Sequence, residues 1–113
     1  MRTISWNSED RVVEMIDQRI LPQAFEIRSY DNVQDITDAI RTMVIRGAPA
    51  IGAAGAYGMA LAALNSEANT IDDLLNDLQT AGETLIKARP TAVNLSWAVK
   101  RMQKAADSFE GSL

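Results

Sequence analysis

Arg46-Gly47-Ala48-Pro49-Ala50-Ile51-Gly52-Ala53-Ala54-Gly55-Ala56-Tyr57-Gly58 follows a branched apolar pair, Val44-Ile45, and carries very little side-chain bulk. The pattern predicts a helix over roughly Pro49 to Leu64, with Pro49 at the first helical position, where its missing N–H costs nothing. Each interior glycine costs such a helix roughly 0.5–1 kcal/mol relative to alanine. Gly52, Gly55 and Gly58 therefore need a reason. Their three-residue spacing leaves one helical face nearly bare, so that another backbone or a ligand can come close. Tight helix–helix packing is the commoner use of such a face. The alternative is an anion site, because Arg46-Gly47-Ala48 combines a guanidinium, a flexible backbone and the positive end of a helix dipole. No Gly-Lys-Ser or Gly-Lys-Thr follows, which excludes a nucleotide-hydrolase phosphate loop, and the glycines do not fall at G-x-G-x-x-G spacing.

Upstream of this stretch the pattern is that of short strands. Residues 2–6 alternate polar and apolar, Asn7-Ser8-Glu9-Asp10 is a turn cluster, and Arg11 to Ile16 reads as a second strand. Asp17 to Pro22 is a connection, and Ala24 to Tyr30 alternates again, with Phe25, Ile27 and Tyr30 apolar, and reads as a third strand. Three strands joined by tight turns imply a small antiparallel sheet over residues 1–30. From Asp31 the period is helical. Val33, Ile36, Ala39, Ile40 and Met43 make one apolar face, capped by Asp31 or Asn32.

Downstream, Asn65 to Asn69 is a polar loop, and Thr70 with Asp73 forms a variant capping box. Ile71, Leu74, Leu75, Leu78, Gly82, Leu85 and Ile86 then hold helical spacing to about Ala88, where Arg89-Pro90 breaks it. Thr91 is placed to cap a fourth helix bearing Leu95, Ala98, Val99, Met102 and Ala106 and closing near Gly111. The expected architecture is α+β: a three-stranded antiparallel sheet followed by about four helices over residues 31–113, in one domain spanning 1–113.

Arg89 repeats the logic of Arg46, since each arginine stands just before a helix start. Two such guanidiniums could converge on one anion; alternatively, Arg89 caps the carbonyls of the helix it ends. Trp97 occupies a core or interface position.

Composition narrows the chemistry. The chain has 113 residues, a hydrophobic fraction of 47%, a charged fraction of 23% and a net charge of −4, as expected of an ordinary globular domain. Acidity and the lack of a basic run argue against a nucleic-acid partner. With neither cysteine nor histidine, the chain has no thiolate or imidazole for catalysis or metal binding. Asp31, Asp35, Asp38, Asp72, Asp73 and Asp77 lie on polar helix faces, where solvation is their role. No catalytic residue, metal site or cofactor is expected. The Ala48–Leu64 run is built of small residues and reads as a packed helix rather than a membrane span, so a cytoplasmic location is the default.

Val44-Ile45-Arg46-Gly47-Ala48-Pro49-Ala50-Ile51-Gly52 and Ala88-Arg89-Pro90-Thr91-Ala92-Val93-Asn94-Leu95, with Ile4-Ser5-Trp6, Ile16-Asp17-Gln18 and Leu21-Pro22 ahead of them, resemble the amino-terminal domain of the methylthioribose-1-phosphate isomerases over the whole chain. That family is grouped with subunits related to the exchange factor for translation initiation factor two, which generally lack the full Arg-Gly-Ala-Pro-Ala-Ile-Gly run. The resemblance implies an aldose–ketose isomerisation of methylthioribose 1-phosphate in methionine salvage, by a full-length homodimer. It implies that Arg46, Gly47 and Ala48 hold the substrate phosphate and that Arg89 adds a second charged contact. It also implies that a cysteine and an aspartate of a following Rossmann-like domain transfer the protons. This sequence holds no such domain and no cysteine, so the chain alone is expected to be inert. The alternative is a regulatory module akin to the exchange-factor subunits.

Overall fold

The hydrophobic period changes at Asp31, and the architecture changes at the same place. The computed structural model describes residues 4–19, 26–45 and 47–107. Strands β1 (Ile4–Asn7), β2 (Val12–Ile16) and β3 (Ile27–Tyr30) form an antiparallel sheet in that order. Helices α1 (Val33–Arg41), α2 (Ala48–Asn65), α3 (Ile71–Ala88) and α4 (Val93–Asp107) follow, so the α+β expectation holds.

The β1–β2 turn is built by Asn7, whose side-chain oxygen accepts the N–H groups of Glu9 and Asp10 at 3.1 Å each. Ile4 pairs with Met15 and Trp6 with Val13, which puts one apolar face of the hairpin on the helices. In β3 the expectation holds for Tyr30, which packs against the core, and fails for Ile27. Ile27 is 43% exposed, whereas Arg28 and Tyr30 are half-buried and face inward. The register pairs Val13 with Tyr30 and Met15 with Arg28, and a strand alternates faces at every residue, so Ile27 must point out. Residues 2–3 and 24–25 of the expected strands lie outside the described residues, as does Leu21-Pro22.

Asn32 caps α1, accepting the Asp35 N–H at 2.9 Å. The other end closes in a Schellman motif: Val44 N–H donates to the Ala39 carbonyl at 3.0 Å and Met43 N–H to that of Ile40 at 3.3 Å. Met43 occupies the left-handed position usually given to glycine, at φ 67. It is therefore past the helix and exposed rather than on the apolar face, because the reversal that closes α1 turns it away from Ile36, Ala39 and Ile40.

Helix α2 begins one residue earlier than expected, with Ala48 first and Pro49 second, still within the turn where proline is tolerated. Its glycines answer the packing question. A Cβ on Gly55 would lie 2.6 Å from Leu95 Cδ1, and one on Gly52 would lie 3.3 Å from the Asn94 carbonyl oxygen, so α4 rests directly on the bare face. Gly58 presents the same kind of gap to Leu85 of α3 and Ile36 of α1. On α3, Gly82 admits Val99 and Gln103 of α4. Ile36, Ile40, Ile45, Met59, Leu61, Leu85, Leu95 and Val99 fill the resulting core.

Thr70 caps α3 through the Asp73 N–H, as expected. Thr91 does not stand at the start of α4. The Ala92 N–H donates to the Arg89 carbonyl at 2.9 Å, closing a turn with Pro90 and Thr91 at its corners, and this delays the helix to Val93. The expected close near Gly111 lies outside the described residues.

Candidate functional site

The chain before α2 is pinned from two sides. Val44 and Ile45 are buried, and the Val44 carbonyl accepts the Gln18 N–H at 2.8 Å, tying the exit of β2 to the approach to α2. Arg46 lies outside the described residues. Gly47 is the N-cap of α2 at φ 93 and ψ 136, a conformation essentially reserved for glycine. Its carbonyl accepts the Ile51 N–H at 2.9 Å, which starts the helical ladder. It supplies no side-chain cap, so the first-turn N–H groups of Ala48 and Ala50 have no side chain from the N-cap to satisfy them. Pro49 contributes none.

Arg89 ends α3. Its N–H donates to the Ile86 carbonyl at 3.2 Å and its own carbonyl closes the turn to Ala92. Its side chain is half-buried, and guanidinium Nη1 is buried with no hydrogen-bond partner among the described residues. Nη1 therefore does not cap the α3 carbonyls. An unpaired buried donor on a charged group costs about 1–3 kcal/mol or more, a cost that a hydrogen-bonding partner would relieve.

Helix packing brings these features together. Gly52 meets Asn94, Gly55 meets Leu95 and Val99, and farther along Met59 and Ala63 line a groove with Met102 and Ala106. Helices α2 and α4 thus run parallel, with their amino-terminal turns side by side. Two positive dipole ends, the uncapped Gly47–Ala48 backbone and an Arg89 Nη1 without a hydrogen-bond partner among the described residues share one end of the bundle. Such an end can hold a phosphate or carboxylate. Nothing in this arrangement supplies a nucleophile or a base.

One charged cluster had no counterpart in the sequence reading. Asp17 is fully buried just after β2. Its carboxylate accepts from the Arg19 backbone N–H at 3.0 Å, from Arg19 Nε and Nη2 at 3.0 and 2.7 Å, and from Arg28 Nε at 2.8 Å. The Arg19 hydrogen bonds, more than those of Arg28, hold this carboxyl well below the usual carboxylate range against the opposing effect of burial. The available signal was an aspartate ending a branched apolar strand with arginines at Arg19 and Arg28, but their meeting depends on the β2–β3 pairing. The aspartates read as solvated, from Asp31 to Asp77, are all exposed. Trp97 is not a core residue: it is 60% exposed, with the Arg101 guanidinium 5.2 Å from its ring centroid. Among the described residues no three carboxylates are grouped to hold a metal ion, and no helix is long and apolar enough to cross a membrane.

Comparison with known proteins agrees with the fold. The chain is 52% identical over 97 residues to a methylthioribose-1-phosphate isomerase of Syntrophotalea carbinolica, covering 86% of this chain and 28% of that protein. It superposes on the crystal structure of 5-methylthioribose 1-phosphate isomerase from Pyrococcus horikoshii with a TM-score of 0.87 and 42% identity, covering 94% of this chain and 29% of the other. It matches translation initiation factor eIF-2B, subunit delta, from A. fulgidus equally well, with a TM-score of 0.89 and 41% identity over 98% of this chain and 32% of that one. The chain therefore spans about a third or less of the length of these relatives. The model of the Initiation factor 2 subunit family matches residues 44–112, which include α2, α3, α4 and Arg89, and the chain belongs to that family.

Proposed function

We propose that this chain is the amino-terminal, phosphate-binding domain of an aldose–ketose isomerase that converts methylthioribose 1-phosphate to methylthioribulose 1-phosphate in methionine salvage. The observation that carries the proposal is the unpaired, buried Nη1 of Arg89 at the same end of the bundle as the uncapped amino terminus of α2. In this reading Arg46 and Arg89 neutralise the phosphate, while the Gly47 and Ala48 backbone donates to its oxygens. The domain binds and orients; it transfers no proton, and by itself it is inactive. The proton transfers and the remaining phosphate contacts fall to a second, Rossmann-like domain, in a cytoplasmic enzyme that is a homodimer at full length. The names of the Syntrophotalea and Pyrococcus relatives support the substrate.

The test uses the polypeptide at the length its source makes it. Arg89→Ala removes a partly buried charged contact worth about 2 kcal/mol, the lower end of the range for such groups, and should raise the KM for methylthioribose 1-phosphate roughly 30-fold. Arg89→Lys should recover part of the loss. Unchanged kinetics in Arg89→Ala would remove the phosphate role.

The eIF-2B delta likeness favours a second reading, a regulatory module that works through its helical surfaces. Co-purification with an initiation-factor subunit, together with no turnover of the sugar phosphate at native length, would establish it in place of the first.

A further inference from the structure

Asp17 carries a charge into a fully buried position, and the isomerase reading leaves it without a role. Replacing a buried ion pair with apolar residues is often neutral or stabilising, so stability alone gives little reason to place a carboxylate there. What this carboxylate does is geometric. Its Oδ1 accepts the backbone N–H and Nε of Arg19, at 3.0 Å each, and its Oδ2 accepts Nη2 of Arg19 at 2.7 Å and Nε of Arg28 at 2.8 Å. The Asp17 N–H donates to the Glu26 carbonyl at 2.9 Å. The turn that leaves β2 is thus tied to the β3 side through both the backbone and the side chain of Asp17. The bond to the Arg19 N–H closes that turn on itself in the manner of an Asx turn. Gln18 lies inside the turn, and its N–H donates to the Val44 carbonyl at 2.8 Å.

Val44 is held by both of its backbone groups. Its N–H donates to the Ala39 carbonyl at 3.0 Å, in the closure of α1, and its carbonyl accepts from Gln18. Its side chain and that of Ile45 are buried. Gly47 follows, exposed, and a Cβ built on it would meet no atom within 4 Å among the described residues. Side-chain packing therefore does not locate Gly47, and glycine has the most permissive backbone of any residue. The entry to α2 is located from behind, at Val44. We propose that Asp17 is a positioning residue of the anion site: with Arg19 and Arg28 it fixes the turn that holds the Val44 carbonyl, and through Val44 it sets where the Gly47–Ala48 backbone presents its N–H groups. The proposal deepens the phosphate-binding reading above and rests on it. Asp17 touches no substrate and acts through the main chain. Backbone N–H groups that hold a phosphate bind the ground state and the transition state alike, so their misplacement appears in KM and not in kcat.

The test uses the polypeptide at the length its source makes it, at a temperature where each variant is folded. Asp17→Asn leaves one oxygen to accept and sets an amide N–H₂ against the arginines. It should raise the KM for methylthioribose 1-phosphate about tenfold, the low end for a residue that orients a ligating group, and leave kcat unchanged. The inhibition constant of inorganic phosphate should rise by the same factor, because it reads the anion contact without the sugar. Arg28→Met removes one donor to Asp17 and leaves the Arg19 bonds, so it should move both constants the same way by less, and it decides the matter where Asp17→Asn does not fold. Leu78→Ala opens a cavity in the buried face of α3, controls for destabilisation alone and should change neither constant. An unchanged KM in the folded clamp variants, beside a raised KM in Arg89→Ala, overturns the positioning role and leaves the phosphate reading standing. A raised KM without a change in phosphate inhibition overturns it too, as does a Leu78→Ala variant that shifts both constants as far as Asp17→Asn. An unchanged KM in Arg89→Ala, or no turnover of the sugar phosphate at native length, overturns the phosphate reading and the positioning role together.

Discussion

Replacing Gly55 with alanine places a methyl carbon 2.6 Å from Leu95 Cδ1 and 3.6 Å from Val99 Cγ2. Carbon atoms in contact sit about 3.5–4.0 Å apart, so the new group intrudes by roughly 1 Å. Leu95 and Val99 are both fully buried, which denies the leucine an empty space to swing into. Overpacking of this kind costs about 1–3 kcal/mol. Against it stands the gain of about 0.5–1 kcal/mol from removing a glycine inside a helix. The net expectation for Gly55→Ala is a loss of about 1–2 kcal/mol, or roughly 5–10 °C in Tm for a domain of this size. Urea unfolding followed by circular dichroism measures it, with an unchanged m-value confirming that the native state and not the unfolded ensemble was altered. Leu95→Ala provides the cross-check, since it deletes the atom that clashes. The double variant should be more stable than the sum of the single losses by about 1 kcal/mol or more. A Gly55→Ala variant stabilised by the helix-propensity gain, or strict additivity in the cycle, would refute the view that this glycine exists to let α4 approach.

Asp17→Asn should destabilise the protein by about 2–3 kcal/mol near pH 7, toward the lower end for a broken buried pair because both arginine partners are 41% exposed and re-solvate. Because the folded carboxyl titrates below its unfolded value, its contribution is present above about pH 4–5 and disappears as the pH falls through the folded pKa. The stability gap between wild type and variant should therefore shrink in acid, and a gap constant from pH 7 to about pH 2 would contradict the clamp. Gly47→Ala meets no atom within 4 Å, so its cost is backbone strain alone, about 1–3 kcal/mol in denaturant unfolding; a neutral result would mean that φ 93 is not maintained. Met43→Gly relieves a left-handed methionine and should raise stability by about 0.5–1 kcal/mol, whereas a loss would show that the exposed side chain contributes a contact.

Much of this fold is legible in local chemistry. The Asn7 turn, the Asn32 and Thr70 caps and the break at Arg89-Pro90 are each decided within a few residues, by a side-chain oxygen, a proline or a change of period. Their places in the chain follow from the sequence alone, as does the family, because the two arginine motifs are contiguous strings. The errors fell where a local signal met a non-local one. Ile27 has strand chemistry, but its face is chosen by the register with β2; Met43 keeps the helical period but lies beyond the reversal that ends α1.

The site was legible only as a list of residues. That Gly47 and Arg89 stand at one end of the bundle follows from the parallel packing of α2 on α4, which no local pattern encodes. The sequence by itself determined where the strands and helices lie and which arginines stand just before helix starts, because period, capping and backbone restriction act over one or two turns. Tertiary structure alone decided that Asp17 is buried between two arginines, that Arg89 Nη1 is buried without a hydrogen-bond partner among the described residues and that Trp97 faces outward. Desolvation and partnership of a charge or a ring depend on atoms brought from distant parts of the chain, and only the packed structure sets those distances.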